Sequence, residues 1–584
     1  LSHCRFVTEG ILVARLEVSS NLVQRLRQVV EHDPDALAFT FLGDGEHESG
    51  RWTFGRLDRE SRAVAALLQQ RGLAGERVLL LLPPSLELVC SLYGCLYAGA
   101  TFVVSTLPPP RKEAAFHRLL SIAADCRPRA VITRPELKEA LQTGMAGVPG
   151  FDGIQWLTGE DADPAAEWRA PDIDGNSSAF LQYTSGSTAA PRGVMVGHGN
   201  LLANLGQIKA GMGLEPGEVG VSWLPPHHDM GLVGMIFATA SAGMSCVLMS
   251  PLHFIQKPSR WLEAISRYRG NVSGGPNFAY DLCLRKVTAE QCQGIDLSSW
   301  RVAFNGAEPV RAATLERFAE KFAALGLRPQ ALYPCYGLAE ATLFVGGSAR
   351  DRQAAIRTYD VAALQEDRVV PAPAGEGARA LVSSGRPWGQ EVVIADPETA
   401  NRCPPGRIGE IWVTGPNVGQ GYWGLPQESA RTFRARLAGE PRAGSFLRTG
   451  DLGFLDDGNL FVTGRYKDLI VIAGSNHYPQ DIERTVEEGE PSVRPGCCAA
   501  ISVDVDEEER LVVLAELQRG KALDEIAKSI RGLVAAQHDL RVHDVELIRP
   551  GGVPKTSSGK IRRHACKAAY RNHELARWPS SAER

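Results

Sequence analysis

Apolar and polar positions switch between two periods along the first part of the chain. Behind Ser20, a candidate N-cap, Leu22, Leu26, Val29 and Val30 recur at helical spacing, which predicts a helix over Asn21 to Val30. Phe54 to Arg71 carries the same period and is stopped by Gly72, whereas Val78 to Leu82 is a continuous apolar run of strand length. Ser85 to Ala98 predicts a third helix, and Ala130 to Thr133 a further strand. Strands that read as unbroken apolar runs between helices imply a mainly parallel sheet covered on both faces, so the predicted fold class is α/β. Such sheets bind ligands in loops at the carboxyl ends of their strands. Leu88 to Val104 contains no charge and approaches the length of a membrane span, but Gly99 divides it into a helix and a β-branched run, which suits a helix feeding a buried strand.

The pattern changes near residue 464. Before it lie glycine-rich turns. After it come a helix at Pro479 to Glu488, a strand pair around the acidic turn Asp504 to Glu509, a helix from Leu523 to Gln537 and a basic tail. The predicted division is therefore 1–464, parallel-rich sheets layered with helices, and 465–584, a small mobile α+β unit. Gly346 to Ala380 reads as an irregular segment rich in Arg, Pro and Gly; loops of that length are either functional or mobile.

Composition narrows the function by exclusion. The 584 residues carry 63 Lys and Arg against 67 Asp and Glu, a formal charge of −4, so no general positive field exists to condense on nucleic acid. The 12 cysteines include no Cys-x-x-Cys pair, and Cys497 and Cys498 are adjacent, which suits reduced thiols in a cytoplasmic protein. The apolar stretch Ile11 to Ala14 is too short for a secretory signal, and neither export nor membrane insertion is expected.

The strongest chemical signal is LQYTSGSTAAPRGV, Leu181 to Val194. A strand end runs into Thr184, Ser185, Gly186, Ser187 and Thr188, followed by Arg192 and Gly193. Hydroxyls donate hydrogen bonds, glycines let backbone N–H groups approach, and a guanidinium pairs with phosphate, so the segment suits a polyphosphate, although a plain polar turn has the same composition. It is not a Walker A loop. The cluster His227, His228, Asp229 could suggest a metal, but adjacent residues seldom point at one ion and no further His or Cys spacing supports zinc. Gly-x-Ser-x-Gly, the serine-hydrolase elbow, does not occur.

TSGSTAAPRGV resembles the phosphate-binding motif of the acyl-adenylate-forming superfamily. Further matches follow in order: LPPHHDMGL at 224–232, NGAEP at 305–309, YGLAEAT at 336–342, TGDLG at 449–453, GRYKD at 464–468 and PKTSSGK at 554–560. The forms HHDMGLVG, SGGPNFAYDLC, YGLAEATL and SNHYPQDIE are most similar to fatty acyl-AMP ligases. That resemblance implies a large adenylate-forming domain and a mobile lid. It also implies ATP and Mg²⁺ as cofactors, and a fatty acid and a holo acyl carrier protein of a polyketide or lipopeptide pathway as partners.

By the same resemblance, Lys560 bridges the carboxylate and the α-phosphate, His228 sits by the incoming carboxylate, and Glu340 binds Mg²⁺. Gly306, Ala307, Glu308, Tyr336, Gly337 and Thr342 border the nucleotide, with Tyr336 offering a face to adenine. Asp451 accepts from the ribose hydroxyls and Arg465 lies beside them. Met230, Ile236, Phe278 and Tyr280 follow motifs that border the acyl chain, although core packing accounts for each equally well. Lys467 matches the hinge of the C-terminal domain, and 346–380 coincides with an insertion that restrains that domain and disfavours CoA. The usual Gly-x-Pro-Lys of the phosphate loop is here Ala189, Ala190, Pro191, Arg192, which keeps the charge. Acidic carriers should dock on a local basic surface, for which Arg562, Arg563 and Lys567 are candidates. The nearest rival is a fatty acyl-CoA ligase; a non-catalytic carrier-binding scaffold is a rival of another class.

Overall fold

The structure is a computed structural model that describes residues 20–107, 113–145, 147–148, 151, 153–184, 191–472, 475–505, 508–519, 522–556 and 559–578. Ser185, Gly186, Ser187 and Thr188 of the phosphate-loop motif, and the side chain of Thr184, lie outside the described residues.

The fold is α/β. A nine-stranded and a seven-stranded sheet, both mixed with parallel centres, share one apolar core, and a four-stranded antiparallel sheet follows. Local chemistry sets the boundaries. Ser85 caps the helix Leu86–Ala98 by accepting from the Leu88 N–H, and Gly99 ends it at φ +73, a left-handed turn that leads into the buried strand Thr101–Val104. The first helix, Leu22–His32, is capped by Asn21 and not by Ser20: the Asn21 side chain accepts from the Gln24 N–H and its amide donates to the Ile173 carbonyl. Among the described residues no helix is long and apolar enough to cross a membrane.

The nine-stranded sheet positions the site. Val219–Ser222, Val272–Gly275, Val302–Asn305 and Leu332–Gly337 are neighbouring parallel strands, so their carboxyl ends lie along one edge. The segments that follow those ends are LPPHHDMGL, PNFAYD, NGAEP and the turn after Tyr336. Beneath them sit Trp223, Phe254, Trp261, Tyr280, Trp300 and Phe318, whose rings meet mostly edge to face. Gly275 permits this packing, since a Cβ there would fall 2.6 Å from the Trp223 ring.

The segment 346–380 is more ordered than its composition predicts. Ile356–Asp360 pairs antiparallel with Ala378–Val382, and the short helix Val361–Gln365 lies between them. Tyr359, Leu364 and Leu381 pack on Leu452, Phe454 and Phe461, the back of the hairpin that carries TGDLG. Order here comes from distant apolar partners, which the local sequence does not display.

The C-terminal sheet, Val493–Val505, Glu508–Leu517 and Val542–Ile548, has its own core on each face. The helices Pro479–Gly489 and Leu523–His538 cover one face and Arg563–Arg571 the other. The described cysteines are free, with Cys497 and Cys498 both buried.

Candidate active site

A cavity of about 1930 Å³ lies between the strand ends and the C-terminal part, and residues from nearly all the described motifs line it. One wall is built on a hairpin: Leu447–Asp456 pairs with Asn459–Arg465 so that Asp451 and Arg465 are cross-strand partners. The Arg465 Nε donates to Asp451 Oδ1 at 3.2 Å, and the Asp451 charge raises the guanidinium pKa above its ordinary value. Tyr336, at the end of its parallel strand, donates its hydroxyl to Asp451 Oδ2 at 2.7 Å, and burial pushes that phenol far above the usual range. Asp451 is thus oriented by two donors from different sheets.

Ala307 bends away from its strand at φ +74, which turns the backbone of NGAEP along the cavity wall. The segment is fixed from behind: the Asn305 side-chain amide donates to Asn277 Oδ1 at 3.1 Å, and the Asn277 amide donates to the Pro309 carbonyl at 2.9 Å. Gly306 backs directly on Cys335, leaving no room for a side chain.

Glu340 follows the neighbouring strand. Its carboxylate accepts from the Tyr422 hydroxyl at 2.8 Å, and burial raises its pKa. Tyr422 also lies under the Arg192 guanidinium, 5.4 Å from its ring centre, and Arg192 pairs with Glu428 at 2.7 Å. The phosphate-loop cation is therefore held beside Glu340 by residues more than two hundred positions downstream. Gly193 next to it abuts the Tyr183 ring, where a Cβ would meet the ring at 2.9 Å.

His228 Nδ1 lies 2.7 Å from Asp229 Oδ1. Burial works against ionisation of Asp229, but His228 and then Lys560 outweigh it and hold the carboxyl below its ordinary range. His227 is half-buried, and desolvation pushes its imidazole down to about 3, so it is neutral at physiological pH.

Lys560 enters from the C-terminal part. It sits on a hairpin closed by Thr556 N–H to the Lys560 carbonyl at 2.7 Å and Arg562 N–H to the Pro554 carbonyl at 2.9 Å. Gly559, at φ +83, brings this hairpin against the Phe278 ring. Burial, and then the Arg465 charge, lower the Lys560 pKa, while Glu308, Asp229 and Asp451 pull it back up. One ammonium group thus faces carboxylates from three separate motifs.

Two family models cover this arrangement: AMP-binding enzyme over residues 26–423, and the AMP domain of Disco-interacting protein 2-like proteins over 467–578. The chain belongs to the AMP-binding enzyme family. Among its relatives it is 43% identical to the medium-chain-fatty-acid–[acyl-carrier-protein] ligase JamA of Moorena producens, over 96% of either chain. It is 37% identical to the long-chain-fatty-acid–AMP ligase FadD23 of Mycobacterium tuberculosis, over 96% of this chain and 98% of the other. The fatty acyl-adenylate ligase of Legionella pneumophila, solved with acyl adenylate and pyrophosphate, superposes with a TM-score of 0.73 at 39% identity, covering 96% of this chain and 97% of that one.

In this AMP-binding enzyme, the cavity gathers Arg192, His228, Met230, Phe278, Ala307, Glu308, Tyr336, Gly337, Glu340, Asp451, Arg465, Lys467 and Lys560. Four expectations are corrected. Ile236 and Tyr280 lie in the core and do not border the cavity; the Tyr280 hydroxyl donates to the Phe304 carbonyl at 2.8 Å. Thr342 is fully buried, with its hydroxyl donated to the Asn417 carbonyl at 2.7 Å. Arg563 is not a free docking cation: it makes two bonds to Glu483, at 2.8 and 2.6 Å, and one to Asp468 at 3.1 Å. Motif reading missed Tyr422, Glu428 and Arg118, since their roles in the wall come from long-range contacts and none stands in a matched motif.

Proposed function

We propose that this AMP-binding enzyme converts a fatty acid and ATP to an acyl-adenylate and pyrophosphate, then passes the acyl group to the phosphopantetheine thiol of an acyl carrier protein. The observation that carries the reading is the one cavity that Lys560 lines together with Asp229, Glu308 and Asp451. The names of the relatives, a fatty-acid carrier-protein ligase and a fatty-acid AMP ligase, support it.

A carboxylate attacking the α-phosphorus brings two anions together. Its oxygen bonds to phosphorus while the bond to the bridging oxygen breaks, and that electron pair leaves on pyrophosphate. Lys560 offsets the charge that gathers at phosphorus, a role whose loss costs about 10²- to 10³-fold in rate. Burial keeps its ammonium weakly solvated, which strengthens that interaction. His228, oriented by Asp229, sits by the carboxylate; Asp451 takes the ribose hydroxyls, Arg465 stands beside the same sugar, and Tyr336 and the Gly306–Ala307–Glu308 backbone flank the base. Thr184 to Thr188, Arg192 and Gly193 hold the phosphates. Met230, Phe278, Ile208 and Met212 supply apolar lining to the same cavity and accept the alkyl chain.

Glu340 fits a divalent cation. It is a half-buried carboxylate whose hydroxyl partner, Tyr422, binds one oxygen, and desolvation makes its charge costly. Among the described residues no three His, Cys, Asp or Glu side chains converge on one point, as suits an ion held largely by phosphate and water. Mg²⁺ there would neutralise phosphate charge.

The working units are 1–464 and 465–584, with Lys467 the hinge on which the second swings between adenylation and transfer, and the enzyme acts in the cytoplasm. The test offers the enzyme fatty acid, ATP and Mg²⁺, then CoA or a holo carrier protein. Acyl-carrier product is expected. Efficient acyl-CoA formation would replace the acceptor, and no fatty-acid-dependent pyrophosphate exchange would remove the reading.

A further inference from the structure

Two arginines in the cavity wall stand apart from the pairs described above. Arg118 comes from the helix Glu113–Cys126, and Arg562 follows Lys560 by two positions on the C-terminal hairpin; both line the cavity. Among the described residues neither guanidinium has a carboxylate partner. They stand close enough for charge to act between them: burial, and then Arg562, push the Arg118 pKa below its ordinary value. The Arg118 charge also reaches His227, which burial keeps neutral, so no anion is supplied from that side.

Two cations that line one cavity from different parts of the chain repel, and in a half-buried space that repulsion is poorly screened. An anion between them reverses its sign, and guanidinium groups match phosphate geometry. We propose that Arg118 and Arg562 form a clamp for a pyrophosphoryl group, the β- and γ-phosphates of ATP before reaction and free pyrophosphate after it. The proposal rests on the adenylation reading above.

The test is fatty-acid-dependent ATP–pyrophosphate exchange by the full chain carrying Arg118→Ala, Arg562→Ala or Arg118→Lys. Half-saturating pyrophosphate should rise at least about tenfold in each alanine variant and less in the lysine variant. The KM for fatty acid should stay within about twofold. A parallel rise in the KM for ATP assigns the clamp to both bound forms, and a rise for pyrophosphate alone assigns it to the leaving group; either supports it. Unchanged pyrophosphate dependence in both alanine variants overturns it. Should these variants fail to fold by circular dichroism, Arg118→Gln and Arg562→Gln take their place. If the unmodified chain shows no exchange, the adenylation reading falls. The clamp is then decided by inorganic pyrophosphate alone, which should raise the melting midpoint of the unmodified chain but not of Arg118→Gln.

Discussion

The interior beneath the strand ends and the seam between the two parts of the chain are built from opposite materials. The interior is aromatic: Trp223, Trp261, Trp300 and Phe318 are almost wholly buried and meet one another edge to face. The seam is polar. Arg379, from the hairpin at 356–382, pairs with Asp481 at 3.0 Å and lies 4.7 Å over the Tyr478 ring. Asn476 donates to Asp367 at 3.0 Å, and Gln480 donates to the Thr463 carbonyl. Buried aromatic surface stabilises by about 25 cal/mol per Å² and is lost when exposed, whereas polar contacts exchange for water at small net cost. An apolar seam would hold one arrangement; this one can be broken and remade, as a moving lid requires.

Substitutions on either side should separate the two materials. Trp261→Ala, which empties the centre of the aromatic group and frees the Ser273 hydroxyl that its indole N–H engages at 2.7 Å, should cost about 3–5 kcal/mol, read from the urea midpoint. Equal stability would mean that the cluster is not the anchor of the strand ends. Lys560→Ala should leave that midpoint unchanged while slowing adenylation by about 10²-fold or more, with the KM for ATP nearly constant. Arg379→Ala, which removes the pair with Asp481 across the seam, should raise acyl-CoA formation by about fivefold and leave adenylation nearly unchanged. No gain in CoA use would reduce the 346–380 segment to a passive covering.

The smallest effect is one of pH. Because burial and Arg465 lower the Lys560 pKa, the ammonium is lost at lower pH than for an ordinary lysine. Adenylation kcat/KM should therefore fall as pH rises through that lowered value, and Lys560→Arg should remove this alkaline limb. An unchanged limb would assign the titration to another group.

Much of the large part was legible in the sequence because its signals are local. Ser85 and Gly99 bracket a helix by capping chemistry alone, and unbroken apolar runs mark strands covered on both faces. Ser20 and Asn21 are both good caps, and the choice fell to Asn21, whose side chain also reaches Ile173. Motif matching found the site but not the facing of its side chains. Phe278 and Tyr280 are two apart on the helix Asn277–Lys286, hence on nearly opposite sides, and only Phe278 meets the cavity. Arg562 and Arg563 divide in the same way, one toward the cavity and one into Glu483 and Asp468. The order of residues 356–382 was hidden because its stabilising partners, Phe454 and Phe461, lie some seventy to a hundred positions away.

Thr342 carries a further consequence. A β-branched residue at φ +67 is strained, at a cost of about 1–3 kcal/mol, and persists only where its surroundings over-determine it. Here Asn417 does so twice, accepting the Thr342 hydroxyl at its carbonyl and donating its side-chain amide to the Ala341 carbonyl at 3.0 Å. The turn bearing Glu340 is thus a bent spring with its catch in another segment. A change at Asn417, a residue in no motif and away from the cavity, would be felt as a displaced carboxylate, so the inheritance of activity in this chain depends on a position that sequence signatures do not mark.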